Sequence, residues 1–257
     1  YHAGFDDHGV IKGFSVEMTS RAGFSADLSG PVMSRAICHV DNAYYLEHVA
    51  VTGFMAKTNT QSNTAFRGFG GPQGAFCIEY LIDDVARSIG RDPLDVRRQN
   101  FYGQNKRNTT HYGMTIEDNV INELVTALEV SSEYGERRRR VTSFNAASPV
   151  LKKGLALTPV KFGISFNMVH YNQAGALVHV YTDGSVVVNH GGTEMGQGLH
   201  TKVLQVVATE LGIPIENIRI TATDTSKVAN TSATAASTGS DLNGKAAQDA
   251  ARTIRQR

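Results

Sequence analysis

The sequence lacks the features that define several common classes of protein. Its two cysteines, Cys38 and Cys77, have neither the spacing of a zinc motif nor that of a disulfide framework. It contains no run of about 18 apolar residues and no signal-peptide pattern. A formal net charge of +1 gives no electrostatic basis for binding nucleic acid or a membrane surface. These absences predict a soluble cytoplasmic protein that has neither nucleic acid nor membrane as a partner.

The histidines and the arginine run also give little sign of a metal site, a catalytic histidine or a patch for an acidic partner. The nine histidines show no metal-ligand spacing, and direct catalysis by His190 or His200 is not expected. The run Arg137–Arg140 has two interpretations, a patch for an acidic partner or the solvated end of a helix. The net charge near zero favours the second interpretation.

Composition and pattern predict an α+β protein in two parts. The chain has 257 residues, of which 41% are hydrophobic and 19% charged, enough for one large domain or two modest ones. The character of the sequence changes near Ser148, so we predict one half at 1–147 and another at 148–257. Tyr1 at the start, and a helical pattern still continuing at Arg257, predict a fragment of a longer polypeptide.

Strands and helices are predicted from apolar periodicity and from start and stop signals. Alternating segments predict strands at 11–19, 49–57, 155–165 and 218–222, and a hairpin over 176–188. Helical patterns predict helices at 30–38, 72–89, 93–100, 116–130, 132–140, 198–211 and from 242 onward.

The most informative segment is Asn63–Gln73, which contains three glycines, Arg67 and two phenylalanines before a predicted helix. Glycine permits positive φ and a close approach of backbone to a ligand. Pro72 suits the first turn of a helix, and a helix N-terminus favours anions. Arg67 adds a planar, charged donor. The alternative interpretation is a glycine-rich turn with a purely structural role.

Two further segments resemble the first, because each is a turn of small residues that precedes a predicted helix. They are His190–His200 and Thr234–Asp241. Three turns with free N–H groups at helix starts predict a cage for a large anionic cofactor, although any one of them could be structural.

The three segments, in this order and spacing, resemble the molybdopterin-binding part of the molybdenum hydroxylases, specifically the xanthine dehydrogenase type. The strings TAFRGFGGPQG and GGTEMGQGLHTK carry most of the resemblance. It extends over the whole chain, including Lys161–Phe166 and Asn172–Ala176. The resemblance implies a two-part molybdopterin-binding α+β fold. It also implies oxidation of hypoxanthine and xanthine to urate, with water-derived oxygen inserted at a ring carbon and hydride passing to the molybdenum centre.

The resemblance also implies which residues hold the cofactor. Ala65, Phe66 and Arg67 would lie against the molybdenum and its oxo ligand. Met195, Gly196 and Gln197 would line the pterin, since an amide can both donate and accept. The third turn would add hydrogen bonds from Ala235, Ala236, Ser237 and Thr238. Iron–sulfur clusters and FAD are expected on other domains or subunits of an oligomeric enzyme.

Substrate-binding residues follow from the same resemblance. Phe69 and Phe166 would sandwich a flat heteroaromatic ring, with Asn167 beside it, where animal enzymes carry threonine. Arg35 would bond a purine carbonyl and stabilise the charge that develops on the ring in the transition state. The alternatives are core phenylalanines and, for Arg35, an exposed helix arginine.

Some expected parts are missing, and the departures from animal sequences (Asn167, and Gly239 in place of serine) indicate a bacterial type. The family's base glutamate would lie beyond Arg257, and its substrate-pairing glutamate in an upstream loop. The fragment alone is therefore expected to be inactive and to hold little molybdenum. Two other functions remain open: an aldehyde or N-heterocycle oxidase of the same family, and a non-catalytic phosphate- or nucleotide-binding module.

Overall fold

The computed structural model describes residues 1–228 and 231–257 and separates into two compact units. The first unit comprises Tyr1–Phe66 and Gly70–Gly163, and the second comprises Arg67–Phe69 and Ile164–Arg257. The units thus divide at 163/164, whereas the sequence placed its boundary at 147/148. Leu155 and Leu157 pack with the core of the first unit, which accounts for the later division. The α+β class is confirmed, and the assignment of cofactor binding to the halves 1–147 and 148–257 stays a prediction.

The first unit contains a three-stranded sheet of order β1-β2-β3. Its strands are β1 (His2–Phe5), β2 (Ile11–Gly23) and β3 (Val49–Lys57). β1 runs antiparallel to β2, and the Asp6 carboxylate closes their turn by accepting the N–H groups of His8 (3.0 Å) and Val10 (2.9 Å). β3 runs parallel to β2, as expected when a helix connects two strands.

The first unit also contains five helices. They are α1 (Ser29–Cys38), α2 (Gly71–Ile89), α3 (Pro93–Asn100), α4 (Ile121–Ser131) and α5 (Tyr134–Ala147). The predicted apolar stripe of α2 is buried in the core of the unit with Phe14 of β2. Asp92 begins α3 by accepting the Leu94 N–H at 2.8 Å. α4 starts five residues later than its pattern predicted, at Ile121 rather than at 116.

The strand predicted at 155–165 is wrong, because this segment pairs with side chains instead of a neighbouring strand. The Asn42 amide donates to Pro159 O (2.9 Å) and accepts from the Lys161 N–H (3.1 Å). His39 Nε2 accepts from the Gly163 N–H at 2.9 Å. These backbone groups of the segment are thus satisfied without a ladder.

The second unit packs two helices on a smaller sheet of order β4-β5-β6. Its elements are β4 (Ala176–Val180), β5 (Val186–His190), α6 (Leu199–Leu211), β6 (Ile218–Ile220) and α7 (Gly239–Arg255). The predicted hairpin is confirmed, since β4 and β5 are antiparallel and Asp183 Oδ1 accepts the Ser185 N–H in their turn. Across the described ranges, the helices lack the combined length and apolar character that crossing a membrane requires.

Candidate functional site

The first predicted turn leads directly into α2 of the first unit. Gly70 has φ +97°, and a Cβ atom there would lie 2.1 Å from the carbonyl oxygen of Val32 in α1. Glycine is therefore required, as predicted, but the backbone that approaches it belongs to α1 and not to a ligand. Ala65, Phe66 and Arg67, predicted to contact the metal centre, are all exposed, with Phe66 at 74%.

Arg35 lies on α1 and is buried, with 2% of its surface exposed. The exposed-helix alternative for this residue is therefore wrong. Its Nη1 donates to Gly163 O, and the guanidinium carbon lies 5.5 Å from the centre of the Phe162 ring. Burial lowers the pKa of Arg35, although an arginine stays charged at any physiological pH.

Phe69 and Phe166 are brought together in the second unit. Both rings are buried, and they meet edge to face with centroids 5.3 Å apart and an interplanar angle of 89°. Phe69 has φ +52°, a strained value for a bulky residue. A backbone held there against its preference is typical of a functional position. Asn167, next to Phe166, is exposed.

Asn172 is a supporting residue whose role the sequence did not indicate. Its Oδ1 accepts the Phe166 N–H at 2.9 Å, and its Nδ2 donates to Phe166 O at 2.8 Å. The amide therefore binds both backbone groups of Phe166, in the way a neighbouring strand would. Only the motif Asn172–Ala176 was visible in the sequence, and a motif does not identify the partner of a side chain.

We expect Asn172→Leu to lower the stability of the second unit. The change leaves two backbone groups of Phe166 unpaired, at about 1–3 kcal/mol for each buried group. Thermal unfolding of the full-length protein measures the effect, with Asn217→Leu, an exposed asparagine of the same unit, as the control. Wild-type stability in Asn172→Leu would contradict the proposed support.

The second predicted turn joins β5 to α6, and its N–H groups are not free. Glu194 Oε1 accepts the N–H groups of Gly196 (2.9 Å) and Gly198 (3.0 Å), and Oε2 accepts that of His200 (3.0 Å). These bonds, led by that from His200, lower the pKa of Glu194. The prediction of free donors is wrong here, because a carboxylate of the turn itself takes the anion position.

Gln197 and Met195 occupy the same turn. The Gln197 amide accepts the Met195 N–H and donates to Thr193 O at 2.9 Å. Its hydrogen bonds thus shape the turn, whereas the Met195 side chain is 66% exposed. Gly196, between them, has φ +95°.

The third predicted turn precedes α7 and meets the second turn within the second unit. Thr234 Oγ1 accepts the Thr193 N–H at 2.9 Å. Ala236 and Ser237 have φ +54° and +58°, and the buried Thr238 donates its hydroxyl to Ala235 O at 2.9 Å. The structure therefore brings together the two turns predicted to bind the pterin.

Several buried polar atoms beside these turns have no hydrogen-bond partner among the residues that the structure describes. They are His190 Nε2, His200 Nε2, Thr231 Oγ1, Asp241 Oδ1 and Asn243 Oδ1. The two imidazole rings lie 5.2 Å apart, and burial, with the nearby His200, lowers the pKa of His190 to about 4. Because buried polar groups are nearly always paired, these donors and acceptors fit a polar cofactor.

The molybdopterin cofactor-binding domain family matches this chain through two family models, at residues 1–101 and 127–257. The chain belongs to this family, and the predicted molybdopterin cofactor is confirmed. The predicted resemblance to xanthine dehydrogenases is also confirmed. The chain is 49% identical to a xanthine dehydrogenase of Drosophila subobscura and 48% identical to a xanthine dehydrogenase/oxidase of Gallus gallus.

Both alignments cover 100% of the chain and 19% of the relative, so the chain spans about a fifth of these proteins. Solved structures share the fold over nearly all of the chain. An aldehyde oxidoreductase from Desulfovibrio desulfuricans gives a TM-score of 0.81 at 25% identity, over 98% of this chain and 27% of that one. A quinoline 2-oxidoreductase from Pseudomonas putida gives 0.77 at 21% identity, over 99% and 34%.

Proposed function

We propose that the chain is part of a molybdenum hydroxylase that oxidises hypoxanthine and xanthine to urate. The observation that carries the proposal is the near-50% identity to xanthine dehydrogenases, which extends over all 257 residues. The molybdenum cofactor, when bound, supplies the oxygen insertion and accepts the electrons. The residues of this chain hold the cofactor and orient the substrate.

Cofactor binding is proposed for all three turns. The proposed residues are Ala65, Phe66, Arg67, Met195, Gly196, Gln197, Ala235, Ala236, Ser237 and Thr238. The exposed side chains at the first turn and the unpaired polar atoms beside the other two support this assignment. Arg67 is the cation proposed to lie nearest the metal, where it would favour an oxo ligand.

Substrate orientation is proposed for an aromatic pair and an arginine. Phe69 and Phe166 present one ring edge and one ring face at right angles, which suits contact with a flat heterocycle. Asn167, beside Phe166, is proposed to contact the same substrate. Arg35, a buried cation, is proposed to donate to a purine carbonyl as negative charge develops on the ring.

Further parts of the enzyme are proposed from the length of the relatives, of which this chain covers 19%. We propose that iron–sulfur and FAD domains or subunits receive the electrons, and that the full enzyme is an oligomer. The cytoplasm is the proposed location, a prediction that rests on the cysteine content of the sequence.

Two alternative functions predict different roles for particular residues of the structure. An aldehyde oxidoreductase has the same fold, but its substrate lacks the purine carbonyl to which Arg35 is proposed to donate, so the proposed role of Arg35 favours the purine. A phosphate-binding module would use the free N–H groups at the start of α6. Glu194 occupies three of these N–H groups, which argues against the module.

Elemental analysis and turnover of the full-length protein test the proposal. We expect bound molybdenum and oxidation of xanthine, and a phosphate-binding protein without molybdenum would refute it. The 257-residue chain expressed alone is expected to hold little molybdenum and to show no xanthine-dependent dye reduction. Activity of the isolated chain would overturn that second expectation while leaving the first intact.

A further inference from the structure

His39 links the end of α1 to the segment that follows α5, within the first unit. It is the C-cap of α1 and is 4% exposed. Its Nδ1 lies 2.9 Å from Arg35 O, one helical turn earlier, and its Nε2 lies 2.9 Å from Gly163 N. Both ring nitrogens are therefore used, and each faces a backbone group.

These two contacts determine the protonation state of His39. A backbone N–H can only donate, so Nε2 must accept from Gly163. Nδ1 then carries the proton and donates to Arg35 O, which can only accept. The neutral Nδ1–H tautomer makes both bonds, whereas a protonated ring would direct a second N–H at the N–H of Gly163 and lose that bond.

Arg35 contacts the carbonyl group of Gly163, whose amide group contacts His39. Its Nη1 donates to Gly163 O, so Arg35 and His39 hold Gly163 by its carbonyl and its amide. A Cβ atom at Gly163 would lie 3.5 Å from His39 Cε1 and 4.0 Å from Arg35 Nη1. The Phe162 ring lies 5.1 Å from the imidazole and 5.5 Å from the guanidinium carbon.

The charges around His39 also favour the neutral ring. Burial is the main cause that lowers the pKa of His39, and the positive charges of Arg35 and Lys161 lower it further. The backbone contact with Arg35 O and the negative charge of Asp41 oppose this effect. Asp41 is itself paired with Lys161, which reduces its influence on the imidazole.

We propose that His39 is a positioning residue for Arg35, because it fixes the Gly163 peptide whose carbonyl holds the guanidinium. The proposal rests on the proposed function, in which Arg35 contacts the purine. Loss of the His39–Gly163 bond would let the carbonyl move and take the guanidinium with it. Catalysis depends on such placement, since small displacements of a charged group forfeit much of its effect.

The test measures kcat/KM for xanthine and for an aromatic aldehyde in the full-length enzyme. We expect His39→Leu to lower the xanthine-to-aldehyde ratio about tenfold, the effect of one lost hydrogen bond, with molybdenum content unchanged. His39→Gln, whose amide can accept from Gly163 and donate to Arg35, should restore most of the ratio. The exposed His48→Ala is the control and should leave the ratio unchanged.

The pH dependence of the same ratio supplies a second readout. In the wild type the ratio should fall only on the acid side of the ordinary histidine range, where the imidazole takes up a proton. In His39→Gln the same acid limb should be absent, and ionisation of the substrate is common to both enzymes. An unchanged ratio in His39→Leu, or the same acid limb in His39→Gln, would overturn the proposal.

Arg35→Met separates this inference from the proposed function. If Arg35→Met lowers the ratio and His39→Leu does not, Arg35 contacts the purine without help from His39, and only the positioning role fails. If neither variant changes the ratio, the role of Arg35 in the proposed function fails, and the positioning role fails with it.

Discussion

Arg35→Met in the full-length enzyme should slow oxidation of xanthine by about a hundredfold, or about 3 kcal/mol in transition-state stabilisation. The interaction that we propose would be lost is a charge-assisted hydrogen bond to a purine carbonyl, which would strengthen as charge develops on the ring. An aromatic aldehyde has no such carbonyl on its ring, so its oxidation should slow much less. The ratio of kcat/KM for the two substrates measures the effect.

Arg35→Met should also lower the stability of the enzyme, which affects the oxidation of both substrates. Methionine is an unbranched apolar residue suited to a buried position, but it is shorter than arginine and leaves Gly163 O without the donor that Arg35 provides. Loss of that bond lowers stability by about 1–3 kcal/mol and affects both reactions alike. Arg35→Lys keeps the charge but loses the planar fork, so its effect on the ratio should be intermediate.

Arg87→Met is the matched control, since Arg87 is an exposed arginine of α2 that pairs with Asp84 on the surface. It should leave both reactions unchanged. An equal loss on xanthine and aldehyde in Arg35→Met would mean that Arg35 only supports the fold, and the proposal of a purine contact would be abandoned.

Local pattern was sufficient to predict most helices and strands. α2 shows why: its apolar stripe, Pro72 near its start and Gly90 at its end are all local signals, and the structure has each where expected. The segment 155–165 shows the limit. It has the apolar character of a strand, but its partners are Asn42 and His39, more than a hundred residues away. No local pattern can identify such partners.

In the candidate site, too, local features could be predicted from the sequence and side-chain partners could not. The sequence indicated which turns precede helices, and it indicated that glycine is needed in the first of them. It could not indicate that Glu194 fills the N–H groups of its own turn or that Asn172 holds Phe166. Both depend on side-chain rotamers and on tertiary packing, which a motif does not specify.

The second large effect is a loss of stability on substitution of the glycines within α2 and at its two ends. Two constraints, backbone strain and steric clash, can be distinguished there. Gly90 has φ +67°, and apart from its chain neighbours no atom of the described residues lies within 4 Å of the place a Cβ would take, so alanine there meets only backbone strain. Gly74 is helical, but its Cβ would lie 2.3 Å from Ala36 O, so alanine there meets only a clash. Gly70 combines both, with φ +97° and a Cβ 2.1 Å from Val32 O.

We expect Gly90→Ala to cost about 1–2 kcal/mol of unfolding free energy and Gly74→Ala about 1–3 kcal/mol or more. Gly70→Ala should lower the unfolding free energy by roughly the sum of these two effects. Gly70→Val adds a larger, β-branched side chain, and this variant should be nearly empty of molybdenum. Thermal unfolding and metal content of the full-length variants provide the measurements. Because the clash pushes against α1, which carries Arg35, and against its C-cap His39, Gly74→Ala should also lower the xanthine-to-aldehyde ratio, whereas Gly90→Ala should not. If Gly70→Ala proves as mild as Gly90→Ala and keeps its full metal content, close packing of α1 against α2 is not what requires glycine here.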